Sequence, residues 1–288
     1  MKLRSLKDQD HGVVGIVVAF LITGLIVIVI SIVQTVYVPK WMEQTEADHM
    51  EIVADQFSQL KFAIDTQSAI QKPDTPISTS ITLGNKEIPF LMSSRSYGSL
   101  EILSDECTVT ITNATDVFTY PLGIIRYSSV NSYYLNQDYV YEAGAIIISQ
   151  SEGDIMSIKP AFSTVKEEDV DISFTIVNIS TIGDKRTING YGTYPIQTEY
   201  PNSDPSDPVK MVNVNNLTIR TNHKNAWSKF INKTLINAGL EYSKNFSIDL
   251  SDKGVSVFFL EPTDITLDVL KINAQIAPGW IENVKGNY

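Results

Sequence analysis

Apolar positions fall into three textures along the chain, and each predicts a different element. From Val13 to Val33 nearly every side chain is apolar. Only Gly15, Thr23, Gly24 and Ser31 interrupt the run, and no charge enters it. These 21 residues, at about 1.5 Å rise each, make a helix of roughly 31 Å, matching a hydrocarbon core of about 30 Å. A lone span in lipid must satisfy its own backbone, so it is helical despite its Val and Ile content. Tyr37 and Trp41 stand where an interfacial aromatic belt forms, and Pro39 marks the exit from the bilayer. The predicted transmembrane helix covers 13–38.

The second texture has helical period. Met50, Val53, Ala54, Phe57, Leu60, Lys61 and Ile64 recur at steps of three and four, with Glu51, Asp55 and Gln59 between them. No Gly or Pro occurs from Trp41 to Gln71, and Pro73 and Pro76 then end the pattern. An amphipathic stalk helix over 39–72 follows, continuing the span through a kink at Pro39. Its apolar stripe fits two arrangements, packing on a following β domain or on copies of itself, because both need one apolar face.

The third texture is β. Short runs rich in Val, Ile, Thr, Tyr and Phe alternate with turn residues: ISTSITLG, EIPFLM, SLEILS, CTVTITN, TYPLGIIRYSS, AGAIIISQ, ISFTIVNIS and GTYPIQTEY. Strand signals about every ten residues, with none of helical period between them, predict an antiparallel sandwich or jelly-roll-like region over 75–202. The proline-rich Tyr200–Pro208 reads as a linker. Beyond it, NLTIRT predicts a strand, HKNAWSKFINKTLINA a helix capped by Asn222 and closed at Gly239, NFSIDLS and VSVFFLE a hairpin, and ITLDVLKINAQI a last strand. Residues 209–288 are therefore α+β, either a second domain or an extension of the sandwich. The fold class is α+β, mainly β: transmembrane helix, stalk helix, β-rich extracellular region and one C-terminal helix.

Charge sets the topology. Residues 1–12 carry Lys2, Arg4 and Lys7, whereas the far side of the span turns acidic at Glu43, Glu46 and Asp48. The basic excess places the N-terminus in the cytoplasm and the bulk of the chain outside, single-pass in the cell membrane. A cleaved secretory signal has an apolar region of only about 7–15 residues and a small-residue cleavage site, and neither fits here. The net charge of −11 disfavours nucleic acid as a partner and leaves the lipid bilayer as the first one. The single cysteine, Cys107, excludes an intramolecular disulfide and reads as a buried core thiol.

Catalytic chemistry is not predicted. The chain has no G-x-S-x-G, no H-E-x-x-H and no Walker-type loop, and its three histidines lack companions at metal-ligand spacing. No catalytic, cofactor-binding or metal residue is assigned, and no cofactor is expected. His49, beside Asp48 and Asp55, reads as a helix-surface residue. The five tyrosines of Tyr127–Tyr141 fit either a sugar-binding surface or, more simply, core and edge-strand positions. Five N-x-S/T sequons, at Asn113, Asn178, Asn216, Asn232 and Asn245, lie in the outer part and are candidate N-glycosylation sites.

A short basic leader, a glycine, a long apolar helix and an amphipathic continuation together resemble an archaeal type IV pilin-like surface protein. The likeness rests on HGVVGIVVAFL and EADHMEIVADQFSQLKFAIDTQ and covers residues 1 to about 70. It implies class III-type leader processing by a prepilin peptidase between Gly12 and Val13. It also implies partners among pilin-like subunits, including copies of itself. Two departures bear on assembly: Asp10 and His11 precede Gly12 in place of a basic residue, and Val17 stands where bacterial pilins carry a Glu that sets register. The expected function is a non-enzymatic, membrane-anchored surface protein displaying a β-rich ectodomain, with service as a filament subunit open to it. The alternative is a tethered adhesin or receptor module for polysaccharide or an S-layer partner.

Overall fold

The computed structural model describes residues 7–85, 96–183, 185–202 and 207–277, with side chains from Val14 onward. The chain opens in one helical rod. Helix α1 (Lys7–Ile32) passes through a π-helical turn (Val33–Tyr37) into α2 (Val38–Ile70) without a break. The π turn lies just before Pro39, whose ring has no N–H and crowds the carbonyl four residues back. Val38 N–H reaches the carbonyl of Val33 there, so the wider turn absorbs the misfit where a simple proline kink is expected. Gln71, at φ 51, closes α2 with its N–H on Gln67 O at 2.8 Å.

The β-body follows: β1 (Ile77–Thr82), β2 (Tyr97–Asn113), β3 (Val117–Val130), β4 (Asp138–Glu142), β5 (Ala145–Gln150), β6 (Gly153–Ile158), β7 (Ala161–Lys166), β8 (Val170–Thr181), β9 (Thr187–Gly190) and β10 (Thr193–Glu199). After the proline-rich linker come β11 (Val209–Met211), β12 (Val214–Arg220), α3 (Lys224–Asn237), β13 (Phe246–Ser251), β14 (Gly254–Phe259) and β15 (Thr263–Ile276). The class is α+β, mainly β, as the pattern predicts. The run EIPFLM lies outside the described residues.

Two sheets share these strands. One runs β1-β10-β15-β8-β7 with β11 on β15; the other runs β13-β14-β12-β2-β3-β4-β5-β6 with β9 on β2. Residues beyond the linker thus enter both sheets, and β15 lies between β10 and β8. Pairing is antiparallel except between β15 and β8, which run parallel from Thr263↔Val170 to Ala274↔Thr181. SLEILS and CTVTITN, expected as two strands, join into β2 across a bulge between Leu103 and Cys107, with Asp105 at φ 59. The sheets approach closely where β3 passes β8. A Cβ on Gly123 would collide with the carbonyl of Ile179, and Asn178 Oδ1 accepts the Gly123 N–H at 2.9 Å.

Two buried clusters fill the body. A proximal core joins Met50, Val53, Phe57, Leu60 and Ile64 of α2 to Tyr127, Tyr139, Tyr141 and Ile272 of the sheets. A distal core gathers Trp227 and Phe230 of α3 with Phe174, Leu217, Val257 and Leu267. Each fully buried side chain of this size stabilises by about 1.5–3 kcal/mol against exposure, so α2 is held as firmly as any strand.

Helix α3 begins differently from expectation. His223, not Asn222, is its cap residue, and no side-chain cap bond forms. Instead Asp154 Oδ2, from β6, accepts the Ala226 N–H at 3.3 Å, a carboxylate at the positive end of the helix. Gly239, at φ 88, follows its end.

Candidate functional site: a bare apolar helix and the seat above it

The rod changes character along its length. Every residue from Val14 to Ile32 is exposed, including Phe20 at 73% and Leu21 at 68%. Thr23, Ser31 and Thr35 turn their hydroxyls onto the carbonyls four residues back, so few polar groups of this stretch lack a partner. The segment is long and apolar enough to cross a membrane. Gly12 and Val13, the expected processing pair, fall within the helical backbone of α1.

Above Val38 the same rod is bolted to the β-body. Glu46 is fully buried, and its carboxylate takes three successive backbone N–H groups: Ser132 on Oε1 at 3.0 Å, and Tyr133 and Tyr134 on Oε2 at 2.7 Å each. Charge-assisted bonds of this kind are about twice as strong as neutral ones. One turn on, His49 is only 4% exposed, which corrects the surface position expected for it. Its Nε2 lies 3.0 Å from Thr82 O; a carbonyl only accepts, so Nε2 carries the proton. Burial lowers the His49 pKa, opposed by the Thr82 bond and by nearby Glu46. Gln56 exchanges two bonds with Thr82, and Gln67 donates to Thr198 O at 2.6 Å and Thr75 O at 3.2 Å. These four polar residues were absent from the expected stripe. Their signal was present, because Met42, Glu46, His49 and Val53 extend the three-and-four spacing of that stripe.

Three of the five tyrosines in the tyrosine-rich segment serve the seat. Tyr127, Tyr139 and Tyr141 are buried. Tyr139 stacks near Phe57 at 5.7 Å and donates to Met50 O at 3.1 Å, and Tyr127 donates to Leu83 O at 3.0 Å. Burial pushes the Tyr139 pKa up to about 12.

A second buried carboxylate lies under α3. Glu142 Oε1 accepts both the Thr221 hydroxyl at 2.7 Å and the Trp227 indole N–H at 2.6 Å. Burial raises its pKa, against the pull of His223 and these bonds. Cys107 is buried beside it, as expected of a core thiol, with its own pKa raised by burial and by that carboxylate. Among the described residues no group of three or more His, Cys, Asp or Glu is placed to hold a metal.

The five sequon asparagines have unlike settings. Asn113 sits in the β2–β3 turn, its Oδ1 taking the N–H groups of Thr115 and Asp116. Asn178 is committed to Gly123 between the sheets, and Asn216 lies half-buried on β12 with the Thr218 hydroxyl on its Oδ1. Asn232 is half-buried on α3, its Oδ1 without a partner among the described residues. Asn245 is 6% exposed, and its Nδ2, the atom a glycan would take, donates to Glu261 Oε2 at 2.7 Å.

No family model, no curated protein and no solved structure matches the chain.

Proposed function

We propose that the protein is a membrane-anchored surface protein of pilin-like build, in which α1 crosses the bilayer and α2 carries a β-rich body outside it. One observation supports the reading above all others. A single rod is bare and apolar over Val14–Ile32 and sunk into the body over its upper half, with Glu46 clasping the body just past the span. Body and anchor therefore share one continuous helix and are not joined by an unstructured tether, which suits display close above a bilayer. The basic leader favours an N-terminus inside, and the resemblance across Gly12 supports leader processing there. The tyrosine-rich surface that would favour an adhesin is largely core.

Mass spectrometry of the mature N-terminus, from washed membranes and shed surface material, tests this. A start at Val13, abolished by Gly12→Val, is the expected result. Intact Met1 in every copy overturns the pilin-like processing, and recovery of the chain in the soluble fraction overturns the anchor.

A further inference from the structure

A groove of about 310 Å³ lies between β6 and α3. Ile155, Met156 and Phe230 form its apolar floor, and Lys159, Lys229 and Lys233 its rim. None of these lysines forms an ion pair with a described carboxylate. In a chain of net charge −11, three unpaired lysines around an apolar floor stand apart from the rest of the surface.

A complementary surface is on the same molecule. At the β7–β8 turn Glu167, Glu168 and Asp169 are exposed, and none is ion-paired among the described residues. Val165 and Leu260 stand exposed beside them at 54% and 57%. Strand β7 separates the two features, with Lys159 just before its start and the acidic turn just after its end. At about 3.3 Å per residue that strand is roughly 17 Å long, which sets the tip apart from the Lys159 end of the groove.

We propose that the lysine-rimmed groove receives the acidic β7–β8 tip of a second copy of this chain. Charge fixes the register, while Val165 or Leu260 over the apolar floor supplies contact area that exposed ion pairs alone would not. The two faces differ, so the contact is heterologous and propagates unless the rotation closes it. This deepens the surface-display reading and rests on it.

The test uses the full chain in membranes, where buried Cys107 is a silent background. Asn237→Cys, one turn beyond Lys233, and Glu168→Cys are expressed as separate chains in one membrane and oxidised. The expected result is a heterodimer band at least ten-fold above that of Asn237→Cys with Thr115→Cys, and a ladder of oligomers from a chain carrying both cysteines. Lys229→Glu with Lys233→Glu should abolish the band, and Glu167→Lys with Glu168→Lys on the other chain should restore it. Yield equal to the Thr115→Cys control overturns the contact, and so does a groove that retains a foreign acidic protein or an anionic glycan while copies stay unlinked. Unlinked protein in membranes leaves the anchor reading standing. Protein missing from membranes removes that reading, and mixing in solution then decides the contact.

Discussion

The lower and upper halves of the N-terminal rod are continuous in backbone and unlike in every other respect. Between Val14 and Ile32 apolar side chains point in all directions and none is covered. Between Val38 and Ile70 they form a stripe, and Met42, Val53, Phe57, Leu60 and Ile64 along it are fully buried. The difference teaches what a helix's surroundings ask of its sequence. A helix apolar all round has no face to offer a sheet and needs an apolar medium on every side, whereas a striped helix needs one wall. Polar residues follow the same division. In the lower half Thr23 and Ser31 turn onto their own backbone; in the upper half Thr45, Ser58 and Thr66 do the same on the open side, while Glu46, His49, Gln56 and Gln67 reach across to the β-body.

The largest break in this comparison is Phe57→Ala. Phe57 is fully buried against Tyr139, and its truncation should cost about 3–5 kcal/mol. Denaturant unfolding of the detergent-solubilised chain, followed by tyrosine fluorescence, measures it. A loss under about 1 kcal/mol would mean that α2 rests on the body without being built into it.

The two buried glutamates sharpen the contrast between seats. Glu46 uses both oxygens for three N–H donors, so Glu46→Gln turns an amide donor towards at least one donor and should cost about 2–3 kcal/mol. Glu142 receives the Thr221 and Trp227 bonds on Oε1 and also meets the Cys107 thiol, so Glu142→Gln keeps the first two, gives up at most the weak thiol bond and removes a buried carboxylate. An acid whose folded pKa is raised costs stability above that pKa and regains it as pH falls towards the unfolded value, 4.5 here. At pH 7 Glu142→Gln should therefore be neutral or stabilising. Equal losses at both positions would show that burial alone, and not the bonding pattern, sets the effect.

His49 gives a smaller and pH-dependent effect. Its folded pKa lies below the 6.5 of an ordinary imidazole, so at intermediate pH the unfolded chain binds more protons than the folded one. Its contribution is fully present above about pH 6.5 and is lost as pH falls through the folded value. His49→Gln keeps a donor for Thr82 O and should flatten the stability–pH curve in that window. Tyr127, Glu46 and Thr82 face the ring, and none of these changes in the variant. An unchanged slope would place the titrating group elsewhere.

How far the sequence disclosed this molecule follows from the range of the interactions. The long apolar helix, the stripe of α2 and most long strands are local patterns and were legible. Strand β4 hid inside the tyrosine-rich segment, whose Tyr139 and Tyr141 face the proximal core, and β6 and β7 are short and have no fully buried residue to mark a core face. The parallel pairing of β15 with β8 joins segments about 93 residues apart in register, and no local period records a partner so distant. Glu46 was readable only as an acid just outside the membrane. Its role depends on three N–H groups of a loop some 86 residues away.

The smallest expected effect is also the most diagnostic. Phe20→Ala removes the same atoms as Phe57→Ala, from a side chain 73% exposed and not 0%. With no protein wall to lose, unfolding of the body should shift by no more than about 0.5 kcal/mol. The cost falls on transfer into lipid instead, and the remaining apolar run keeps the chain in the membrane pellet. A loss of several kcal/mol on unfolding would require a protein surface against Phe20 in the working assembly. The lower half of the rod would then be packed against neighbouring copies and not lipid, and the two halves would differ only in whose wall they meet.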